Sequence, residues 1–131
     1  MFAGLQDLKV PADDRRVIAA DLQAHGRTAD IDRPLSLESM ADNVAALIGQ
    51  IGLGRADVMG YSLGGGVALQ TTIRHPEVER KLVPVSTPFR RDGWCPDVLA
   101  GMEQMSPEVA APMKGTPMYQ LYAAVAPRPE D

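Results

Sequence analysis

Residues 55–75 read RADVMGYSLGGGVALQTTIRH, and they contain the most informative motif of the chain. The apolar run from Ala56 to Gly60 predicts a buried strand, and Leu63 to Arg74 predicts a helix. Ser62 lies at the join, inside the pentapeptide GYSLG at positions 60–64. A G-x-S-x-G pattern between a strand and a helix is typical of a nucleophile elbow, a tight turn that holds a serine hydroxyl clear of the backbone.

The glycines around the serine support this interpretation. The turn strains the serine backbone, so a Cβ at either Gly60 or Gly64 is expected to crowd it. Gly65 and Gly66 each cost about 1 kcal/mol relative to alanine inside a helix, which predicts close packing of that helix against a sheet. An alternative is a glycine-rich helix start that holds a phosphate on its free N–H groups. A P-loop is disfavoured, because no lysine follows at the required spacing.

Length and charge restrict the class of protein. The 131 residues fit one domain, and the net charge of −4 gives no broad attraction to nucleic acid or anionic membranes. No apolar run is long enough to span a bilayer, and the N-terminus lacks the form of a secretory signal. We therefore predict a cytoplasmic protein. Cys95 is the only cysteine, which excludes an internal disulfide and suits a small apolar filler. No metal-ligand spacing is present.

Three further segments complete the predicted core. Residues 16–21 contain an apolar run typical of a strand buried on both faces. Leu35 to Ile51 has the periodicity of an amphipathic helix, with Ser36 as its N-cap and Gly52 just past its end. Residues 81–86 predict another strand, although Pro84 favours an edge position or an interrupted ladder. This alternation predicts an α/β fold with a parallel sheet.

The two ends of the chain are less regular. Phe2, Leu5 and Leu8 have helical spacing that Pro11 ends, which predicts the tail of a helix. From Phe89 onward, prolines divide the chain into short pieces rich in methionine. We expect short helices over an apolar surface there, in ordinary packing or as a pocket for an aliphatic group.

Residues 17–28, 58–66 and 82–87 together resemble the α/β-hydrolase superfamily, and in particular its cap-bearing serine hydrolases. The resemblance covers residues 15–90. It implies a partial, three-layer α/β-hydrolase fold with parallel strands around residues 16–21, 56–61 and 81–86. It also implies a core in residues 1–90, the beginning of a helical cap in residues 91–131, and truncation at both ends.

The resemblance also implies a chemistry. Ser62 matches the nucleophile that attacks a carbonyl carbon, and the backbone N–H of Leu63 matches one donor of the oxyanion hole. The implied substrate is a small ester, lactone or related carbonyl compound, with water as second substrate and no cofactor. In the family, the catalytic acid and histidine lie on later strands, which this chain does not reach.

Two histidines and one aspartate are further candidates for catalytic partners of Ser62. His75 follows the predicted helix, on the order of 18 Å away at 1.5 Å per residue, and is too distant to act as the base. His25 follows the neighbouring predicted strand and is a weaker candidate, in a wall or loop role. Asp92 is expected to be a solvated loop carboxylate. The alternative function is therefore a catalytically inactive fragment or a partner-dependent half, with self-association or a complementing chain at open sheet edges.

Overall fold

The computed structural model describes residues 14–106, 108 and 111–129. These residues group into two compact units. One is Arg33–Glu103, which contains the sheet and the elbow, and the other is formed by the described parts of Met1–Asp32 and Gln104–Asp131. The predicted helix tail at residues 2–8 lies outside the described residues. This grouping does not test the predicted division into a core (1–90) and a cap (91–131), which stays a prediction.

The first helix of the elbow unit is α1 (Leu37–Gln50), and both of its predicted ends are confirmed. The Ser36 side chain accepts a hydrogen bond from the Ser39 amide at 3.1 Å, a cap that contributes about 1 kcal/mol. Beyond the other end, Gly52 has φ +75° and its amide donates to the Gly49 carbonyl. Glycine adopts this left-handed conformation without the penalty of a Cβ.

Two parallel strands form the sheet, β1 (Ala56–Tyr61) and β2 (Glu79–Val85). The predicted strand at 56–61 is confirmed, and the strand predicted at 81–86 begins two residues earlier. Between them runs α2 (Leu63–Arg74), which packs on both strands and on α1. Small residues allow the helices to approach closely, and the buried residues are Met40, Ala41, Ala45 and Ile48 of α1 with Gly65, Val67, Ala68 and Thr71 of α2.

Pro84 is accommodated in β2 because its backbone nitrogen lies on the side of the strand that faces away from β1. The Ser62 amide donates to the Val85 carbonyl at 2.9 Å, so the polar groups of Val85 face β1. Polar backbone groups alternate sides along a strand, so those of Pro84 face away from β1. The described sheet has two strands, and its ladder loses no hydrogen bond to this proline. The edge interpretation of Pro84 is confirmed for this sheet.

The strand predicted at residues 16–21 is wrong. Residues 15–22 have no regular secondary structure, and Val17 and Ile18 are 54% and 43% exposed. A strand requires a neighbour for its backbone N–H and C=O groups, and within the described residues no other strand pairs with this one. The apolar run identified side chains suited to a strand and contained no information about the partner.

The remaining described elements are short, as predicted. A 3-10 turn (Arg91–Gly93) and α3 (Pro96–Glu103) complete the elbow unit. The second unit contains a 3-10 helix (Ala111–Gly115) and α4 (Pro117–Ala123), which Thr116 caps by accepting from the Tyr119 amide. Their methionine side chains are not packed within the described residues, since four are about half exposed: Met102, Met105, Met113 and Met118.

Candidate active site

Ser62 occupies the single residue between β1 and α2 with φ +52° and ψ −116°. A residue with a Cβ rarely adopts this conformation, which costs of the order of 1–3 kcal/mol. The surrounding backbone holds it there: the Ser62 amide donates to the Val85 carbonyl, and the Ser62 carbonyl accepts from the Gly66 amide at 3.1 Å. The strand-to-helix turn predicted from the GYSLG pentapeptide therefore has the geometry of a nucleophile elbow.

Gly60 and Gly64 contribute unequally to this turn. A Cβ on Gly60 lies 2.0 Å from the Gly64 carbonyl oxygen, an impossible contact with backbone. A Cβ on Gly64 meets nothing within 4 Å. The prediction of crowding is confirmed for Gly60 and wrong for Gly64, because the Cα–H of Gly60 faces the helix while the corresponding direction at Gly64 is open.

The next two glycines also differ. A Cβ on Gly65 lies 2.7 Å from Cγ2 of Thr87 and 3.1 Å from the Gly60 carbonyl oxygen, so close packing at the sheet requires glycine there. A Cβ on Gly66 meets Leu37 of α1 at 3.5 Å, an ordinary contact. The predicted close approach to the sheet is confirmed at Gly65 and wrong at Gly66, whose neighbour is mainly the other helix.

The polar groups of the elbow are available to a ligand. The Ser62 side chain is not used to cap α2, and among the described residues its hydroxyl has no hydrogen-bond partner. The Leu63 amide is the first of the helix, where N–H groups have no partner inside the helix. The positive end of the helix dipole lies at the same place. A hydroxyl and an N–H donor thus lie next to each other on an exposed turn.

His75 lies at the opposite end of α2, as its C-cap residue. Its Nε2 is 2.6 Å from Oδ1 of Asp42, and its Nδ1 is 3.5 Å from Oε1 of Glu77. Arg74 donates two hydrogen bonds of 2.9 Å to the same Asp42 carboxylate. The hydrogen bond from Arg74, followed by that from His75, lowers the pKa of Asp42 to about 2. Both ring nitrogens of His75 face carboxylates, so it joins helices and is not the base for Ser62.

His25 belongs to the other unit. Its Nδ1 is 2.7 Å from the Gln23 carbonyl oxygen, which can only accept, so Nδ1 carries a proton. In the neutral ring Nε2 then has the free lone pair. Asp92 is exposed and pairs with Arg90 at 2.8 Å, as expected of a loop carboxylate. Asp92, which lies in the same unit as Ser62, is not joined to Ser62 by a described contact.

Over the described ranges, no group of three or more His, Cys, Asp or Glu side chains is positioned to hold a metal ion. Cys95 is free and exposed, so the prediction of a buried apolar filler is wrong. No helix in the described part of the chain is long and apolar enough to cross a bilayer.

One residue beside the elbow was missed by sequence reasoning. Ser86 directly follows β2 and has φ +51°. The sequence VST at positions 85–87 contains neither glycine nor asparagine, the residues that usually mark a left-handed backbone. Its position at the end of a predicted strand next to the elbow strand was the only available signal.

Comparison with known proteins gives matches of three kinds. A profile of the alpha/beta hydrolase family matches residues 2–130. A Rhizobium rhizogenes protein named as a candidate carbamate hydrolase, RutD, is 33% identical over 118 residues, which are 87% of this chain and 44% of that protein. The pimeloyl-acyl-carrier-protein methyl ester esterase of Neisseria meningitidis is 46% identical over 66 residues, 50% of this chain and 24% of the esterase.

Among solved structures, an N-acyl homoserine lactone degrading enzyme matches with a TM-score of 0.52 and 24% identity. The match covers 79% of this chain and 36% of that enzyme, and it shows a shared fold. The chain spans less than half the length of each of these relatives.

Proposed function

We propose that this chain, which belongs to the alpha/beta hydrolase family, acts as a serine hydrolase on a small ester, lactone or related carbonyl compound through Ser62. Relatives named as a carbamate hydrolase and a methyl ester esterase support hydrolysis at a carbonyl carbon. The proposal also includes three expectations that rest on the sequence. They are cytoplasmic residence, a reaction without a cofactor, and a cap that begins at residue 91.

The observation that carries the proposal is the strained backbone of Ser62 with an unengaged hydroxyl. The hydroxyl oxygen attacks the carbonyl carbon of the substrate and forms a tetrahedral intermediate, and the hydroxyl proton passes to a water molecule that carries it. The Leu63 N–H donates to the oxygen that becomes negative, a donor worth about 3 kcal/mol in the transition state. The leaving group takes up a proton as it departs, and a water molecule then adds to the acyl-enzyme carbonyl, releases the acid and returns a proton to the Ser62 oxygen.

A second candidate function is an inactive fragment or a partner-dependent half. The length of the relatives favours it, since the chain covers 44% of the RutD protein. The sheet favours it too: Met59 of β1 is 72% exposed and its register partner Val83 of β2 is 46% exposed. Together with the open edges of the sheet, these exposed apolar side chains suit a complementing chain or a second copy.

Covalent labelling with a fluorophosphonate tests both functions. The folded 131-residue chain is expected to be labelled on Ser62, and the Ser62→Ala variant and heat-denatured protein are expected to remain unlabelled. Ser39→Ala is the matched control, because it removes a hydroxyl from α1 and keeps the elbow. Peptide mass spectrometry locates the label.

The two functions predict different results. A chain that is folded by circular dichroism and is not labelled contradicts an autonomous hydrolase. Size-exclusion chromatography then separates the alternatives, since a stable monomer counts against association through the sheet.

A further inference from the structure

Ser86 is the second serine with a left-handed backbone at the same end of the sheet. The described residues contain three non-glycine residues with positive φ: Ala24, Ser62 and Ser86. Two of these follow directly after the neighbouring parallel strands β1 and β2. Strained backbone of this kind is concentrated at binding and catalytic sites, where the surrounding structure maintains it.

The elbow fixes Ser86 from both sides. Before it, the Val85 carbonyl accepts the hydrogen bond from the Ser62 amide at 2.9 Å. After it, the Thr87 side chain lies against Gly65 in the first turn of α2. Tyr61 pairs with Val85 in register, so Ser62 and Ser86 are the next positions on strands that lie roughly 5 Å apart.

A structural role for the Ser86 side chain is not supported by its contacts. Serine at a turn commonly bonds a nearby backbone group, but among the described residues the Ser86 hydroxyl makes no hydrogen bond. Ser86 is also exposed. A glycine adopts positive φ at lower cost, so the serine here carries a hydroxyl that the local fold does not use.

We propose that Ser86 is a specificity residue whose hydroxyl hydrogen-bonds the acyl part of the substrate. This role of Ser86 rests on the proposed function, because it requires the acyl carbonyl carbon to form a bond to the Ser62 oxygen. Because the ends of the two strands lie roughly 5 Å apart, we expect the Ser86 hydroxyl to bond polar atoms two or three bonds from that carbon. The favoured substrates are therefore esters or lactones whose acyl group bears an ether, hydroxyl or amide oxygen near the carbonyl.

Two nearly isosteric esters test this assignment on the full 131-residue chain. In p-nitrophenyl methoxyacetate, an ether oxygen replaces one methylene of p-nitrophenyl butyrate, and the leaving group is unchanged. Acylation of Ser62 is followed as release of p-nitrophenolate. For each variant, kcat/KM for the methoxyacetate is divided by that for the butyrate. Comparing this ratio with that of the wild type cancels the intrinsic reactivity of the esters.

Ser86→Ala is expected to lower the ratio by a factor of about 2 to 10, the value of one net hydrogen bond. Ser86→Gly is expected to lower it equally, and it relieves the backbone, so it decides the result where the alanine variant fails to fold. Ser86→Asn tolerates positive φ and keeps a hydrogen-bonding group, so it is expected to retain preference for the ether. Ser39→Ala is expected to leave the ratio unchanged.

The experiment distinguishes failure of the proposed function from failure of the proposed role of Ser86. If the wild type releases p-nitrophenolate from neither ester through Ser62, the proposed function is overturned, and the role of Ser86 with it. If Ser62 is acylated and Ser86→Ala and Ser86→Gly slow both esters equally, or neither, only the role of Ser86 is overturned. An equal loss on both esters is what a purely structural serine produces.

Discussion

At the amino-terminal end of α2, the hydroxyls of Ser62 and Ser86 have no partners among the described residues and both backbones are strained. At the carboxyl-terminal end, Arg74 and His75 bind one carboxylate and Thr72 binds another. One helix thus has hydroxyls without partners at one end and side chains bound to carboxylates at the other, where Oε2 of the buried Glu79 still has no hydrogen-bond partner among the described residues. Polar groups at the first end are therefore suited to a ligand, whereas those at the second join secondary-structure elements.

The largest effect on stability is expected from adding a Cβ to the turn at the amino-terminal end of α2. Gly60→Ala places a Cβ 2.0 Å from the Gly64 carbonyl oxygen, where only backbone can move. We expect the free energy of unfolding to fall by about 3 kcal/mol or more, the upper range for overpacking. Urea denaturation followed by circular dichroism measures it.

Gly64→Ala is the matched control, since its Cβ meets nothing within 4 Å. It is expected to be neutral or to stabilise the chain by up to about 1 kcal/mol through helix propensity. Equal destabilisation by the two variants contradicts the asymmetry of the elbow.

A smaller effect on the free energy of unfolding is expected at the carboxyl-terminal end of α2. Glu79 is 5% exposed, and Thr72 donates to its Oε1 at 2.7 Å. Thr72→Val removes this donor and leaves the buried carboxylate without it, at a cost of about 1–3 kcal/mol. Thr71→Val is the control: that hydroxyl bonds only the Val67 carbonyl in its own helix, and its loss is expected to cost under about 1 kcal/mol.

The contribution of the Thr72–Glu79 pair to stability depends on pH in a defined direction. Burial raises the pKa of Glu79 above 4.5, and the hydrogen bond from Thr72 opposes that rise. The folded chain therefore keeps the proton longer than the unfolded chain, and stability decreases as pH rises from 4.5 through the folded pKa. The cost of Thr72→Val is expected to be larger at pH 7 than at pH 4. A cost that shrinks with rising pH contradicts the assignment.

The smallest effect is expected at Asp42, whose partner Arg74 is exposed and whose partner His75 is half-buried. Its pKa is lowered from 3.8 to about 2, so the stabilisation is present above pH 3.8 and is lost as pH falls toward 2. Asp42→Asn is expected to lower the thermal midpoint at pH 7 and to match the wild type near pH 2. Asp92→Asn, at the exposed pair with Arg90, is the control. A midpoint difference that persists at pH 2 contradicts a role of the charge.

Local signals predicted much of this unit from sequence. Ser36, the apolar spacing and Gly52 gave α1 with both its ends, and the GYSLG pentapeptide gave the turn at Ser62. These features depend on residues close in sequence. Sequence reasoning failed where the three-dimensional surroundings decide the result: in the described part of the chain no strand pairs with residues 16–21, and Gly64 differs from Gly60 in what surrounds its Cα.

Pro84 has a consequence for how copies of this chain could meet. Its ring occupies the side of β2 turned away from β1, where a further strand would seek an N–H donor. Addition there loses a hydrogen bond close to the strand end, so stacking of chain upon chain through that edge is disfavoured. The proline therefore weakens strand addition at this edge of the sheet, as a gatekeeper residue does.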